Sequence, residues 1–143
     1  MGRRLAIEVK KYVNLVKKPY KISFLGHSMG GLIIRSALLH LQHLYQHFHS
    51  YLSICTPHLG YLYKTSKLVQ AGLWLLNTWQ RCDSIVELCM EDNTNLRECL
   101  LYKLAKQPLL NKFKKVSFIA SSQDEYVAYE SARVEKDAVI LTE

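Results

Sequence analysis

Long apolar runs are missing from this sequence. The densest apolar stretch, Leu68 to Trp79, is broken by Gln70, Asn77 and Thr78. It falls well short of the roughly 20 residues needed to cross a bilayer, which excludes a membrane-spanning helix. Cysteine is scarce as well. Cys55, Cys82, Cys89 and Cys99 form no C-x-x-C pair and no metal-ligand spacing, so reduced thiols, no metal and an intracellular, cytoplasmic setting are expected. The segment after Met1 is basic and amphipathic and lacks the apolar core of a secretory signal. The chain has no internal repeat and no low-complexity linker, and nothing in it asks for a cofactor.

What is present suits a single folded domain spanning residues 1–143. Of the 143 residues, 49% are apolar and 22% charged, which is enough to bury a core and too hydrophobic for disorder. Nineteen Lys and Arg against twelve Asp and Glu give a net charge of +7, which raises the question of an anionic partner. The cations come in short pairs, such as Arg3-Arg4, Lys10-Lys11, Lys17-Lys18 and Lys114-Lys115, mostly interleaved with apolar residues at helical spacing. That pattern reads as solvated helix faces. No nucleic-acid reading motif accompanies it, so no nucleic-acid partner is expected; weak contact with anionic lipid headgroups is. The sequence leaves the oligomeric state open.

Along the chain, apolar residues at Leu5, Val9, Tyr12, Val13 and Val16 mark one stripe of an amphipathic helix over Arg4 to Lys18, ended by Pro19. Tyr20 to Leu25 reads as a short buried strand running into Gly26. Leu32 to Tyr45 reads as a helix whose start is apolar almost all round, and hence buried. His49 to Cys55 and Lys115 to Ser121 read as two further strands, separated by about sixty mainly helical residues. Strands alternating with helices predict an α/β unit with a parallel sheet and right-handed crossovers.

The chemistry-bearing signal is Gly26-His27-Ser28-Met29-Gly30. As a bare G-x-S-x-G pattern it is weak. Its place between a strand and a buried helix is the setting of a nucleophile elbow, a turn so sharp that the flanking positions need little or no side chain, hence glycine at both ends and again at Gly31. Ser28 would stand above the carboxyl edge of the sheet at a helix N-terminus, with the Met29 N–H as one oxyanion donor. The rival reading is a glycine-rich turn in which Ser28 merely caps the helix.

A serine hydroxyl needs a base, and the base an orienting acid. Asp124, in the loop after the third strand, is the candidate acid, with Glu125 as the alternative. The order serine, acid, histidine then asks for a histidine after Asp124, and all six, His27, His40, His43, His47, His49 and His58, precede it. His40, His43 and His47 read as a surface stripe on one helix face rather than a metal site. His58 follows the second strand and would stand at the same edge as Ser28, as a base or as a loop-shaping residue.

Together, Gly26-His27-Ser28-Met29-Gly30-Gly31, Thr56-Pro57-His58-Leu59-Gly60 and Asp124 with Val127 resemble the serine esterase (lipase-like) family. The run Lys21 to Arg35, the Pro57-His58-Leu59-Gly60 loop, Ala71-Gly72-Leu73-Trp74 and Ser131-Ala132-Arg133 resemble the animal proteins catalogued as family with sequence similarity 135. The resemblance runs over nearly the whole chain. It implies a partial α/β-hydrolase fold, with Ser28 as nucleophile, Asp124 as acid, a catalytic histidine beyond residue 143, and both the first strands and the second oxyanion donor upstream of Met1. Ala128 departs from the family pattern, which often has proline there. Residues 61–106 take the place of a helical cap, in which Leu68, Gly72, Leu75, Leu76 and Trp79 would either bind acyl chains or pack on the body.

The expectation is a carboxylic-ester hydrolase acting on an acyl-ester or lipid substrate, inactive as this chain alone because no histidine follows Asp124. One alternative is a fold kept without its chemistry as a protein- or membrane-interaction domain. Another is a truncated product whose outer strands expose unpaired edges.

Overall fold

Three short apolar segments become the strands β1 (Ile22–His27), β2 (Phe48–Ile54) and β3 (Lys115–Ile119) of one sheet, in spatial order β1-β2-β3. Both pairings are parallel, as the alternation with helices requires. In the computed structural model residues 1–16, 21–60 and 83–134 are described. The chain divides into two units, Met1–Thr56 with Pro108–Ile119, and Pro57–Gln107 with Ala120–Glu143.

The first unit holds the sheet. Helix α1 spans Gly2–Leu15 and α2 spans Met29–Leu38; α2 packs on β1, and α1 on α2. The two helices approach so closely that a Cβ on Gly2 would meet the Ala37 backbone nitrogen at 2.9 Å. Register sets Phe24 beside Tyr51 and Ser53 beside Phe118. On this face an aromatic core forms, with Phe48 and Phe113 stacked 4.7 Å apart and Phe24 edge-on to both. Ala37, Leu38, Leu41, Phe48 and Tyr51 are almost completely excluded from solvent. Leu25 on β1 and Ile119 on β3 are exposed.

Several boundaries differ from the sequence reading. Strand β1 runs on to His27, so the first two residues of the Gly-His-Ser motif end a strand rather than form a loop. Strand β2 begins at Phe48 and β3 stops at Ile119, two residues before Ser121. The stripe of α1 turns slightly: Leu5, Val9 and Val13 pack against the core, while Tyr12 and Val16 are exposed. The largest correction is α2. It starts at Met29 and ends at Leu38, and after a turn the chain forms a 3-10 helix over Gln42–His47. No glycine or proline marks that stop, and Leu41 and Leu44 stay buried beyond it, so the apolar pattern continues although the helix does not. His40, His43 and His47 therefore do not share an α-helical face.

Burial leaves Tyr51 with a titration consequence. Its hydroxyl donates to the Gly31 carbonyl at 3.1 Å, and burial pushes its pKa up to about 12, against smaller opposing effects of Arg35 and Ser53. A phenol that ionises near 10 when unfolded and near 12 when folded contributes stability that is complete below about pH 10. That contribution is lost as the pH rises through the folded value. Urea denaturation of the wild type should show about 2–3 kcal/mol of alkaline destabilisation between pH 10 and 12 that Tyr51→Phe lacks; equal loss in both would contradict it.

The second unit has short helices α3 (Asp83–Leu88), α4 (Leu100–Lys106) and α5 (Tyr129–Arg133). The buried Cys99 thiol donates to the Met90 carbonyl at 3.1 Å, and Asp92 accepts from the Leu100 N–H at 2.8 Å, fixing the turn before α4 beside the buried Leu88, Leu101 and Leu104. Of the stretch read as a cap, residues 61–82 lie outside the described residues. Among the described residues no disulfide joins Cys55, Cys89 or Cys99, no metal-ligating cluster forms, and no helix is long and apolar enough to cross a membrane.

Candidate active site

Ser28 sits between β1 and α2 with φ 51° and ψ −131°. A non-glycine residue at positive φ is uncommon, and this ψ lies far from the left-handed helical region where such residues usually settle. The conformation costs on the order of 1–3 kcal/mol and persists only where its surroundings impose it. Those surroundings are visible. The Ser28 N–H donates to the Ile54 carbonyl at 2.9 Å, and its carbonyl accepts from the Gly31 N–H at 3.2 Å. Ser28 occupies the N-cap position of α2, and its side chain makes no capping hydrogen bond to the helix. Met29 is the first residue of α2, a position whose N–H has no partner within the helix.

The glycines around Ser28 are not equivalent. A Cβ on Gly26 would lie 2.6 Å from both the nitrogen and the Cα of Gly31, and one on Gly31 would strike the Thr56 side chain, with Cγ2 at 2.7 Å. Strand end and helix start thus touch backbone to backbone. Gly30 differs from the sequence reading: among the described residues nothing lies within 4 Å of a Cβ placed there, so steric crowding does not explain this glycine. Thr56 is fully buried, and among the described residues its hydroxyl has no hydrogen-bond partner. Arg35, one turn along α2, is also buried; burial pulls its guanidinium pKa down and the neighbouring Tyr51 pushes it back up. A charged residue in an otherwise apolar helix was the available signal for it, and sequence reasoning passed over it. His27 is exposed.

Each of the three parallel strands leads at its carboxyl end into a candidate segment: β1 into Ser28, β2 into Cys55-Thr56-Pro57-His58, and β3 into the loop holding Asp124. At the exit of β2, Cys55 takes a positive φ of 47° and its N–H donates to Ile119 at 2.8 Å.

In the second unit, His58 is buried to 1% exposure. Its loop turns at Gly60, where φ is +69° and a Cβ would meet the Leu88 carbonyl at 2.5 Å. Ser131, fully buried on α5, clamps this loop: its hydroxyl accepts from the Leu59 N–H at 3.1 Å and donates to the Gly60 carbonyl at 2.9 Å. The two short motifs, Pro57-His58-Leu59-Gly60 and Ser131-Ala132-Arg133, are thus one structural device. Asp124 is half-buried, and its Oδ1 accepts from the N–H groups of Tyr126 and Val127 at 2.9 and 3.0 Å. Val127 is buried, so the turn that holds the carboxylate is anchored. Glu125 is exposed.

Residues 1–136 match the family described as putative serine esterase (DUF676). The chain belongs to that family. Its fold is similar to that of the mature form of the Bacillus licheniformis lipase BlEst2, with a TM-score of 0.53 at 22% identity. The likeness covers 80% of this chain and 44% of the lipase chain, so the chain spans less than half the length of that enzyme. The parallel sheet with its flanking helices is a partial α/β-hydrolase fold.

Proposed function

We propose that this family member is the nucleophile-bearing part of a carboxylic-ester hydrolase. Ser28 attacks the acyl carbonyl of a lipid or other acyl ester, and the Met29 N–H helps to hold the resulting oxyanion. The observation that carries the reading is the backbone of Ser28: a strained conformation at a strand-to-helix turn, with the hydroxyl withheld from capping. Such strain is kept where function requires it, and the positive end of α2 favours the negative charge that develops in acyl transfer.

Asp124 is the proposed orienting acid. Two backbone N–H groups hold its carboxylate within the turn, whereas among the described residues no comparable bonds hold the exposed Glu125. None of the six histidines follows Asp124, so the proposed base is a histidine from outside residues 1–143. The deep burial of His58 and the Ser131 clamp beside it support a loop-shaping role for His58. The run Lys21 to Arg35 and the paired loop motifs further support kinship with the animal proteins catalogued as family with sequence similarity 135, and the spacing of the four cysteines, without a C-x-x-C pair, suits an intracellular, cytoplasmic setting.

The test uses the protein extended at both ends by its natural flanking sequence. It is expected to hydrolyse short p-nitrophenyl esters and to lose that activity after treatment with phenylmethylsulfonyl fluoride. A folded extended protein with neither hydrolysis nor modification would favour the alternative, an interaction domain that keeps the elbow as architecture.

A further inference from the structure

The charges of this chain are segregated. Between Glu8 and Asp83, and again between Glu98 and Asp124, the sequence holds no carboxylate. The unit carrying the sheet, Met1–Thr56 with Pro108–Ile119, therefore has Glu8 as its only acidic residue against eleven Lys and Arg. Part of this charge collects at the amino edge of the sheet. Lys21 immediately precedes β1, Lys115 opens β3 opposite Ser50 of β2, and Lys114 adjoins it. All three are exposed. Between them lies His49. Pairing passes from Ile22↔Phe48 to Ser23↔Ser50, so His49 is the extra residue of a β-bulge, a feature that re-aims a side chain and breaks the ladder locally. Its Nδ1 lies 2.8 Å from the Ser50 hydroxyl, and burial together with Lys21, Lys115 and Lys114 holds its pKa below the usual value.

Beside this ring lies exposed apolar surface. Tyr12, Leu15 and Val16, at the end of α1, are 70%, 75% and 51% exposed. They line with Lys11, Lys21 and Ile22 a groove along β1. Lysine heads beside exposed aromatic and aliphatic side chains are the composition of a membrane-interface contact, in which cations meet the headgroups while apolar side chains enter the acyl boundary. The ring contains lysine and no arginine, which suits diffuse attraction to a charged surface better than the bidentate reading of nucleic acid.

We propose that the amino edge of the sheet, with Lys21, Lys114 and Lys115 around His49 and the exposed end of α1 beside them, docks on a bilayer bearing anionic phospholipids. The elbow leaves the opposite edge, about 20 Å away along a six-residue strand. Docking therefore turns Ser28 away from the bilayer. This inference is independent of the hydrolase reading.

The test is co-sedimentation of the extended protein with phosphatidylcholine vesicles, with and without phosphatidylserine. Binding is expected only to vesicles containing phosphatidylserine and is expected to weaken as salt rises. The combined variant Lys21→Gln, Lys114→Gln and Lys115→Gln is expected to lose about fivefold per lysine and about a hundredfold in all. Its circular dichroism spectrum and urea midpoint should match those of the wild type, which shows that it is folded whether or not Ser28 is reactive. Leu15→Ser with Val16→Ser should weaken binding to the same vesicles without altering its salt dependence. Equal sedimentation with neutral vesicles, or undiminished binding by the lysine variant, would overturn the proposal. So would a wild type that ignores both vesicles and binds RNA or an acidic protein instead.

Discussion

In the extended protein, Ser28→Ala is expected to lower ester hydrolysis by on the order of a millionfold, and Asp124→Asn by on the order of ten-thousandfold. The two losses differ because the two side chains do different things. Without the Ser28 hydroxyl no acyl-enzyme forms, and only binding and the oxyanion donors remain to act on water. Asp124→Asn is the cleaner probe of the orienting role. An asparagine Oδ1 can still accept from the N–H groups of Tyr126 and Val127, so the turn survives. The negative charge is lost, and with it the preference for the imidazole tautomer that a base requires. Steady-state kinetics with a p-nitrophenyl ester measures both. If Asp124→Asn retained full kcat, the acid would lie elsewhere, and Glu125→Gln would become the next variant to measure.

Gly26→Ala is expected to destabilise the protein by about 3 kcal/mol or more, with Gly31→Ala close behind, while Gly30→Ala is expected to be neutral or stabilising by up to about 1 kcal/mol. At Gly26 the added methyl would press on Gly31 backbone atoms 2.6 Å away, which no rotamer change can relieve, so β1 and α2 must separate. At Gly31 the obstacle is the Thr56 side chain, and Thr56→Ala should restore part of the loss, a coupling that a double-mutant cycle reads directly. At Gly30 an added Cβ meets nothing within 4 Å among the described residues, and alanine favours a helix over glycine. Urea denaturation of the three alanine variants distinguishes this graded outcome from a uniform requirement for glycine in the motif. Equal losses at all three positions would contradict the packing described above.

How much of this could be read from the sequence depends on the range of the interactions. The elbow was legible because its requirements are local: a short strand, a serine between small residues, and a buried helix within one stretch of chain. The strands were legible for the same reason, each an apolar run closed by a turn. Asp124 could be singled out as the candidate acid because its loop follows a recognisable strand, although the hydrogen bonds that distinguish it from Glu125 belong to the folded turn. What stayed hidden is set by contacts between distant residues. The end of α2 at Leu38 carries no breaker, since Leu41 and Leu44 continue the apolar pattern while packing into the core from a different backbone path. The inequality of Gly30 and Gly31 depends on Thr56, which comes from another strand's exit. Ser131 gave no chemical signal of its own; its role appears only when α5 meets the loop at Leu59 and Gly60. The lysines around His49 are scattered singly and in pairs along the chain, and parallel strand order alone gathers their starts at one edge.

The central claim is that the conformation of Ser28 belongs to an activated nucleophile. It is tested most directly by treating the extended protein with a fluorophosphonate probe and locating the adduct by peptide mass spectrometry. A single adduct on Ser28, absent from Ser28→Ala, is the result this account predicts. A folded protein that takes up no probe, or carries it on a different serine, would contradict it.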